Sequence, residues 1–196
     1  MGNFASARSV TFVDVETTHL DSSRSAILQI AIITDREGRK DVWTTKIKPR
    51  SVELEFASKQ ALEICNFNEA DWEDAPYFED VAKEIADRLA WGPVVGHNIS
   101  FDIAHLTAAF KRRGWSELGR NENYLNAKKK YKFGYPLIDT CSLAYLLHSS
   151  ERQNLNALRE SMGISTDGAH EALKDTEDCR TIFYEIVSQA VDNMGA

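Results

Sequence analysis

Three strand-like segments within the first 48 residues constrain this chain more than any other feature. "SVTFVDV" (9–15), "AILQIAIIT" (26–34) and "DVWTTKIK" (41–48) are rich in β-branched residues, as strands prefer. The polar, glycine-containing "REGRK" (36–40) joins the second to the third, and so short a link predicts a hairpin-like meander. Further along, the pattern changes period. "FASKQALEI" (56–64) and "YFEDVAKEIADRLA" (77–90) have helical spacing, with Phe78, Val81, Ile85 and Leu89 on one face and Pro76 suited to the turn before them. "GPVVGHN" (92–98) reads as a short buried strand, and "SFDIAHLTAAFKRRG" (100–114) as a helix that Gly114 can terminate. "PLIDT" (136–140) is a last short strand, followed by helices over 141–149, 155–163 and about 171–191. Strands first and alternating helices afterwards predict an α/β layer around a mixed sheet. The 196 residues suit a single domain, 1–196, large enough to bury a core without disulfides.

The first strand ends in an unusual way. In "TFVDVETTHL" (11–20), Asp14 and Glu16 stand two apart on an apolar run. Strand side chains alternate faces, so both carboxylates project from one face and Val13 and Val15 from the other. Two neighbouring acids repel, and buried charge persists when it is paired, hydrogen-bonded or bound to a metal. A hard divalent cation takes oxygen ligands of this kind. One D-x-E also fits a solvated strand end. Further acids narrow the choice: Asp102 opens a helix just after the apolar strand "VVG", and Asp175 follows His170 in "GAHEALKDTEDCR" (168–180). Asp102 by itself fits helix-dipole compensation equally well. Five residues turn a helix by about 500°, so His170 reaches the site of Asp175 only from the turn before the helix. Gly168 makes such a turn feasible. The pattern leaves Glu171 and Asp178 as further candidate ligands.

Charge and cysteine content exclude several classes. Cys65, Cys141 and Cys179 form no close pairs, so neither a disulfide framework nor a zinc site is indicated. The N-terminus lacks the apolar core of a signal peptide, and no run reaches membrane-spanning length. A reducing, cytoplasmic location and no membrane partner are therefore expected. The net charge is −7, which argues against a nucleic-acid partner until its distribution is considered. Residues 111–132 hold eight basic side chains, among them Lys128, Lys129 and Lys130, against Glu117 and Glu122. A basic segment on an acidic body can contact phosphates, or it can be a solvated loop.

The ordered motifs "DVETT" (14–18), "HNISFD" (97–102) and "HEALKD" (170–175) resemble the DEDDh class of DnaQ-like 3′–5′ exonucleases, which includes proofreading exonucleases, RNase T and oligoribonuclease. The likeness extends through the intervening segments to cover roughly residues 9–190. It implies an RNase H-like fold, a five-stranded mixed sheet flanked by helices. It also implies that Asp14, Glu16, Asp102 and Asp175 hold two divalent cations, Mg²⁺ with Mn²⁺ as substitute, and that neutral His170 is the general base. Glu171 and Asp178 fall at non-ligand positions, which implies the helix surface for both. The implied partner is nucleic acid with a free 3′ end, single-stranded DNA first, cut to nucleoside 5′-monophosphates. An RNase T-like or oligoribonuclease-like exoribonuclease and a non-catalytic nucleic-acid-binding module are the alternatives. A homodimer or an association with a polymerase is compatible with the resemblance.

Substrate contacts are expected around the motifs. Thr17, Thr18 and Leu20 follow the first acids, and Phe101 precedes Asp102 as a stacking ring or a packing one. Asn98 can bond the nucleic-acid backbone or cap the following helix, and His97 can be structural or functional. Residues 115–136 interleave Trp115, Tyr124, Tyr131, Phe133 and Tyr135 with lysines, which suggests a path for a single strand. Two positions depart from the usual pattern. His19 stands where glycine is common after D-x-E-T-T, which questions the loop's backbone, and Gln29 stands where many members carry glutamate.

Overall fold

The computed structural model describes residues 9–118, 129–147 and 153–194. Three antiparallel strands come first: β1 (Val10–Thr17), β2 (Ile27–Arg36) and β3 (Arg39–Lys46). The turn between β2 and β3 is two residues, Glu37 and Gly38, with φ of 53° and 75°. Both angles are positive, as a tight hairpin needs. Arg36 therefore pairs with Arg39, and β3 begins two residues earlier than the sequence pattern suggests. β4 (Val94–Gly96) and β7 (Leu137–Asp139) add in parallel, completing a five-stranded mixed sheet in the order β3-β2-β1-β4-β7. This is the RNase H-like arrangement expected.

Helices cover both faces. α3 (Phe78–Leu89) and α4 (Ile99–Arg112) bury Phe78, Ile85, Leu89, Leu106 and Phe110 against Val13, Val15, Ile30 and Ile32. On the other face Phe12 meets Phe183 of α7 (Ala172–Met194) edge-on at 5.5 Å. α5 (Thr140–Leu147) and α6 (Leu155–Met162) pack beside α7. The helix expected over 56–64 is the shorter α2 (Lys59–Ile64), separated by a break from an additional helix, α1 (Ser51–Leu54), and followed by a 3-10 turn at Ala70–Trp72. Ser58 explains the break: its hydroxyl caps α2 by accepting from Ala61 N, while its own N–H donates to Thr18 O at 2.8 Å. The second bond ties α2 to the loop leaving β1. Among the described residues no helix is long and apolar enough to cross a membrane.

The segment 115–136 differs from the expected strand path. Two short parallel strands, β5 (Ser116–Glu117) and β6 (Lys130–Tyr131), close it onto the body. Tyr131 is fully buried and stacks on Phe110 at 4.4 Å, and Trp115 and Phe133 pack on the same core. These rings are core, not base-stacking platforms, because burying their area outweighs leaving them in water. Tyr135 is exposed, while Tyr124 and Lys128 lie outside the described residues. Arg112 and Arg113 are also committed. Arg113 bridges Glu53 and Glu79, and Arg112 donates to Ser22 O. Replacing Tyr131 with alanine should cost about 3–5 kcal/mol in urea denaturation. Stability within about 1 kcal/mol of wild type would return Tyr131 to the surface role.

Candidate active site

β1 outruns its parallel neighbour, and this creates the site. β4 pairs with β1 only through Thr11↔Val94 and Phe12↔Val95, so beyond Val13 one edge of β1 is open. Asp102, in the first turn of α4, fills that edge. Its Oδ1 accepts the Val15 N–H at 3.0 Å, a bond that a longer β4 would have taken. Gly96 lets α4 start this close, since a Cβ there would meet Ile99 Cδ1 at 2.6 Å. On the opposite edge Asp14 pairs with Ala31 and Glu16 with Gln29, and a register irregularity follows between Glu16 and Thr17. The last acid, Asp175, sits in the first turn of α7 and is buried.

His170 lies on the turn before α7, as the helical geometry required, with φ of +68° after Gly168 at +78°. Its N–H donates to Asp175 Oδ1 at 3.2 Å, and its ring is exposed. Ligand-capable atoms of Glu16, His170 and Asp175 lie within 4.8 Å of one another. Asp14 and Asp102 are close enough to perturb the same group electrostatically.

The four acids are held against their own repulsion. Burial pushes the Asp14 carboxyl well above the usual range, and Asp102, Glu16 and Asp175 push it further, while Arg159 opposes them. Glu16 is pushed up to about 7, first by burial and then by Asp175, against a hydrogen bond from Cys65. Asp102 is raised by burial in spite of the Val15 N–H. The set is all hard oxygen donors, whose shared charge a divalent cation would relieve, so it fits such an ion. The Cys65 thiol, 3.3 Å from Glu16 Oε2, is itself pushed up to about 12 by burial and Glu16. At neutral pH it is a hydrogen-bond donor to the carboxylate and not a thiolate ligand.

The expected substrate contacts divide. Thr18 is fully buried, and its hydroxyl accepts from Ala26 N at 2.9 Å; Thr17 is buried too and donates to His19 O at 3.3 Å. Both side chains build the loop, because its backbone groups need partners once it is packed against α4. Leu20 is 82% exposed at the loop's tip. Asn98 does not cap α4: it sits in the left-handed region at φ 60°, and its backbone N–H donates to Asp139 Oδ1 at 2.8 Å. Phe101 packs on the core and lies 4.1 Å from the His105 ring while keeping an exposed part. His97 has a structural partner, Thr140 Oγ1, 3.0 Å from Nδ1. Lys130 pairs with Ser116, just past the C-terminal end of α4, and that end lies about 15 Å along the helix from Asp102 at ~1.5 Å per residue.

The loop question at His19 resolves simply. His19 is absent from the described non-glycine residues with positive φ, so histidine needs no glycine-like backbone there. Its Nδ1 accepts from Asp21 N at 2.8 Å, and its carbonyl lies 3.0 Å from His105 Nε2.

Two residues escaped the sequence reading. Cys65 has no signal in the pattern, since tertiary contacts bring it to Glu16: the bond between Ser58 and Thr18, its own thiol on Thr17 O, and packing with Leu28 and Trp72. Arg159 did leave one: it shares the face of Leu155, Leu158 and Met162, and a charge on an apolar face asks for a buried partner. That partner is Asp178, which is buried and not on the helix surface as expected; Glu171 is exposed.

The five-stranded sheet, with acids gathered where β1 leaves β4, defines an RNase H-like nuclease fold. Residues 11–183 match the family model described as Exonuclease, of RNase T type. The chain belongs to that family, within the DnaQ-like 3′–5′ exonuclease superfamily. It is 26% identical over 177 residues to DNA polymerase III PolC-type of Staphylococcus haemolyticus, covering 90% of this chain and 11% of that protein. The chain thus spans about a tenth of the length of the curated relatives it matches. Exonuclease X in complex with 5′-overhanging duplex DNA superposes with a TM-score of 0.63 at 21% identity, over 92% of both chains. A 3′-exonuclease in a structure of histone mRNA stem-loop recognition superposes at 0.69 with 14% identity, over 96% of this chain and 67% of that one.

Glu16 gives a test of the electrostatics. Its folded pKa lies above its unfolded one, so proton uptake stabilises the metal-free protein below about pH 4.3 and this is lost as pH rises through about 7. The melting temperature in EDTA should therefore fall between pH 5 and pH 8, and Glu16→Gln should flatten the slope. Saturating divalent cation should reverse the trend, because the ligands must be deprotonated to bind. A Glu16→Gln slope equal to wild type would contradict the shift.

Proposed function

We propose that residues 1–196 form a single 3′–5′ exonuclease domain that removes nucleoside 5′-monophosphates from the 3′ end of DNA, single-stranded by preference. The observation carrying this is the meeting of Glu16, His170 and Asp175 within 4.8 Å beside Asp14 and Asp102, from three separate parts of the chain. Asp14, Glu16, Asp102 and Asp175 would hold two divalent cations, magnesium or manganese. When bound, such ions supply positive charge at the scissile phosphate and acidify an attacking water. His170 takes that water's proton at its imidazole, and its exposed position on a turn lets the ring reach a substrate. The acids at the strand end would hold those ions where they face the phosphate. Leu20, Phe101 and Asn98 line the mouth and contact the terminal nucleotide. Thr17 and Thr18 hold the loop that carries Leu20. Lys129 and Lys130 meet phosphates several nucleotides upstream.

The polymerase III relatives support DNA as the substrate, and they support an association with a polymerase. A single strand is favoured because a terminal nucleotide enters a recessed site without the cost of unpairing. The likeness to a histone-mRNA 3′-exonuclease supports RNA as the second reading.

One time course tests this. The substrates are 5′-labelled single-stranded DNA, duplex DNA and single-stranded RNA of one sequence, with magnesium, manganese or EDTA. A ladder shortening from the 3′ end is expected, fastest on single-stranded DNA, and absent in EDTA and in Asp14→Ala. His170→Ala should lose about 10²–10⁴-fold in turnover while still binding metal. Activity retained by Asp14→Ala would overturn the site. Faster decay of RNA would select the second reading, and binding without cleavage would select a non-catalytic module.

A further inference from the structure

Arg159 is 1% exposed, yet it carries a full charge beside the acids. Its guanidinium makes three bonds: Nη2 to Asp175 Oδ1 at 2.6 Å, Nε to Asp178 Oδ2 at 2.7 Å, and Nη1 to Asn156 Oδ1 at 2.6 Å. Asp175 and Asp178 stand three apart on α7, so they share a face that one planar fork can span. Lys174 also reaches Asp178 and completes its pairing. A buried ion pair of this kind is weak support for stability, because desolvating the charges offsets their attraction. Apolar residues would fill the same space at least as well. The arginine is too buried to touch a substrate, so what it can act on is Asp175.

Its effect there is specific. Asp175 Oδ1 accepts from both Arg159 and the His170 N–H, which commits that oxygen, and a carboxylate oxygen of Asp175 lies within 4.8 Å of ligand-capable atoms of Glu16 and His170. The same cation opposes the repulsion that Asp14 feels from its neighbours. We propose that Arg159 is the positioning residue for Asp175, clamping the carboxylate to Asp178 so that its second oxygen is presented to a divalent cation. This rests on the exonuclease reading of the site. The Arg159–Asp178 pair is then part of the cation-binding apparatus although neither member is a ligand, and its loss weakens cation uptake before it weakens nucleic-acid binding.

The test uses Arg159→Met combined with Asp178→Ala, which removes Asp178 together with its buried cation and leaves Asp175 the His170 N–H as a partner, and Arg159→Lys alone. Magnesium binding is measured by calorimetry, the magnesium dependence of cleavage by gel, and folding by melting in EDTA. The double variant is expected to melt cooperatively and to need about 10–100-fold more magnesium in both titrations. The KM for an oligonucleotide at saturating magnesium should stay within about threefold of wild type, less than the loss of one phosphate contact produces. Arg159→Lys should recover little, because one ammonium lacks the fork that bridges two carboxylates. Unchanged or tighter magnesium binding in the folded double variant would overturn the proposal, as would full recovery by Arg159→Lys. The lysine variant keeps it testable should the double variant fail to fold. Wild-type protein that is folded but takes up no magnesium would remove the exonuclease reading and this proposal with it. Wild-type uptake with an unaltered variant would remove this proposal alone.

Discussion

The mutual repulsion of four carboxylates held in one partly dry space governs the design of this molecule. Asp14, Glu16 and Asp102 are all raised above the usual range, with burial as the leading cause in each. Water would relieve that repulsion, and the fold keeps much of it out. The surrounding structure supplies dipoles and donors in its place. Asp102 and Asp175 occupy the first turns of α4 and α7, where the partial positive charge of the helix ends favours an acid. The Val15 N–H, the Cys65 thiol and the Arg159 guanidinium each satisfy one carboxylate. None of the three cancels the charge of the set, which leaves the site poised to take a cation.

The local backbone follows from the same requirement. A β4 strand of ordinary length would have paired with β1 beyond Val13 and closed the edge that Asp102 uses. β4 stops after three residues, Gly96 admits the start of α4, and Asn98 takes the left-handed conformation that turns the chain into it. On the opposite side His170 accepts a strained φ so that α7 can begin with Asp175 facing inward. Non-glycine residues in this region cost free energy and persist where the surroundings over-determine them. Here both flank the acids.

The basic and aromatic residues after α4 divide between core and surface. Tyr131, Trp115 and Phe133 extend the core under α3 and α4, and Arg112 and Arg113 tie α4 to the mouth loop and to Glu53 and Glu79. A charge count over 111–132 therefore overstates what is left for phosphates. Of the segment's described lysines, Lys129 and Lys130 lie toward the far end of α4. That position suits a strand extending away from the carboxylates more than the reacting nucleotide itself.

The sequence by itself indicated the five strands of the main sheet, most of the helices, and the ordered motifs whose acids and histidine the fold brings near one another. Period-two and helical patterns are local, and acids in ordered motifs are legible without coordinates. It also required His170 to precede its helix, because five residues cannot place two side chains on one helical face. Only the tertiary structure decided which neighbours those groups have. Cys65 meets Glu16 where α2 packs against the end of β1, and buried Asp178 is paired by Arg159 of α6. Tyr131 and Thr18 left the list of substrate contacts for the same reason. Burial and pairing depend on which distant segments come together, and one-dimensional periodicity carries no record of that.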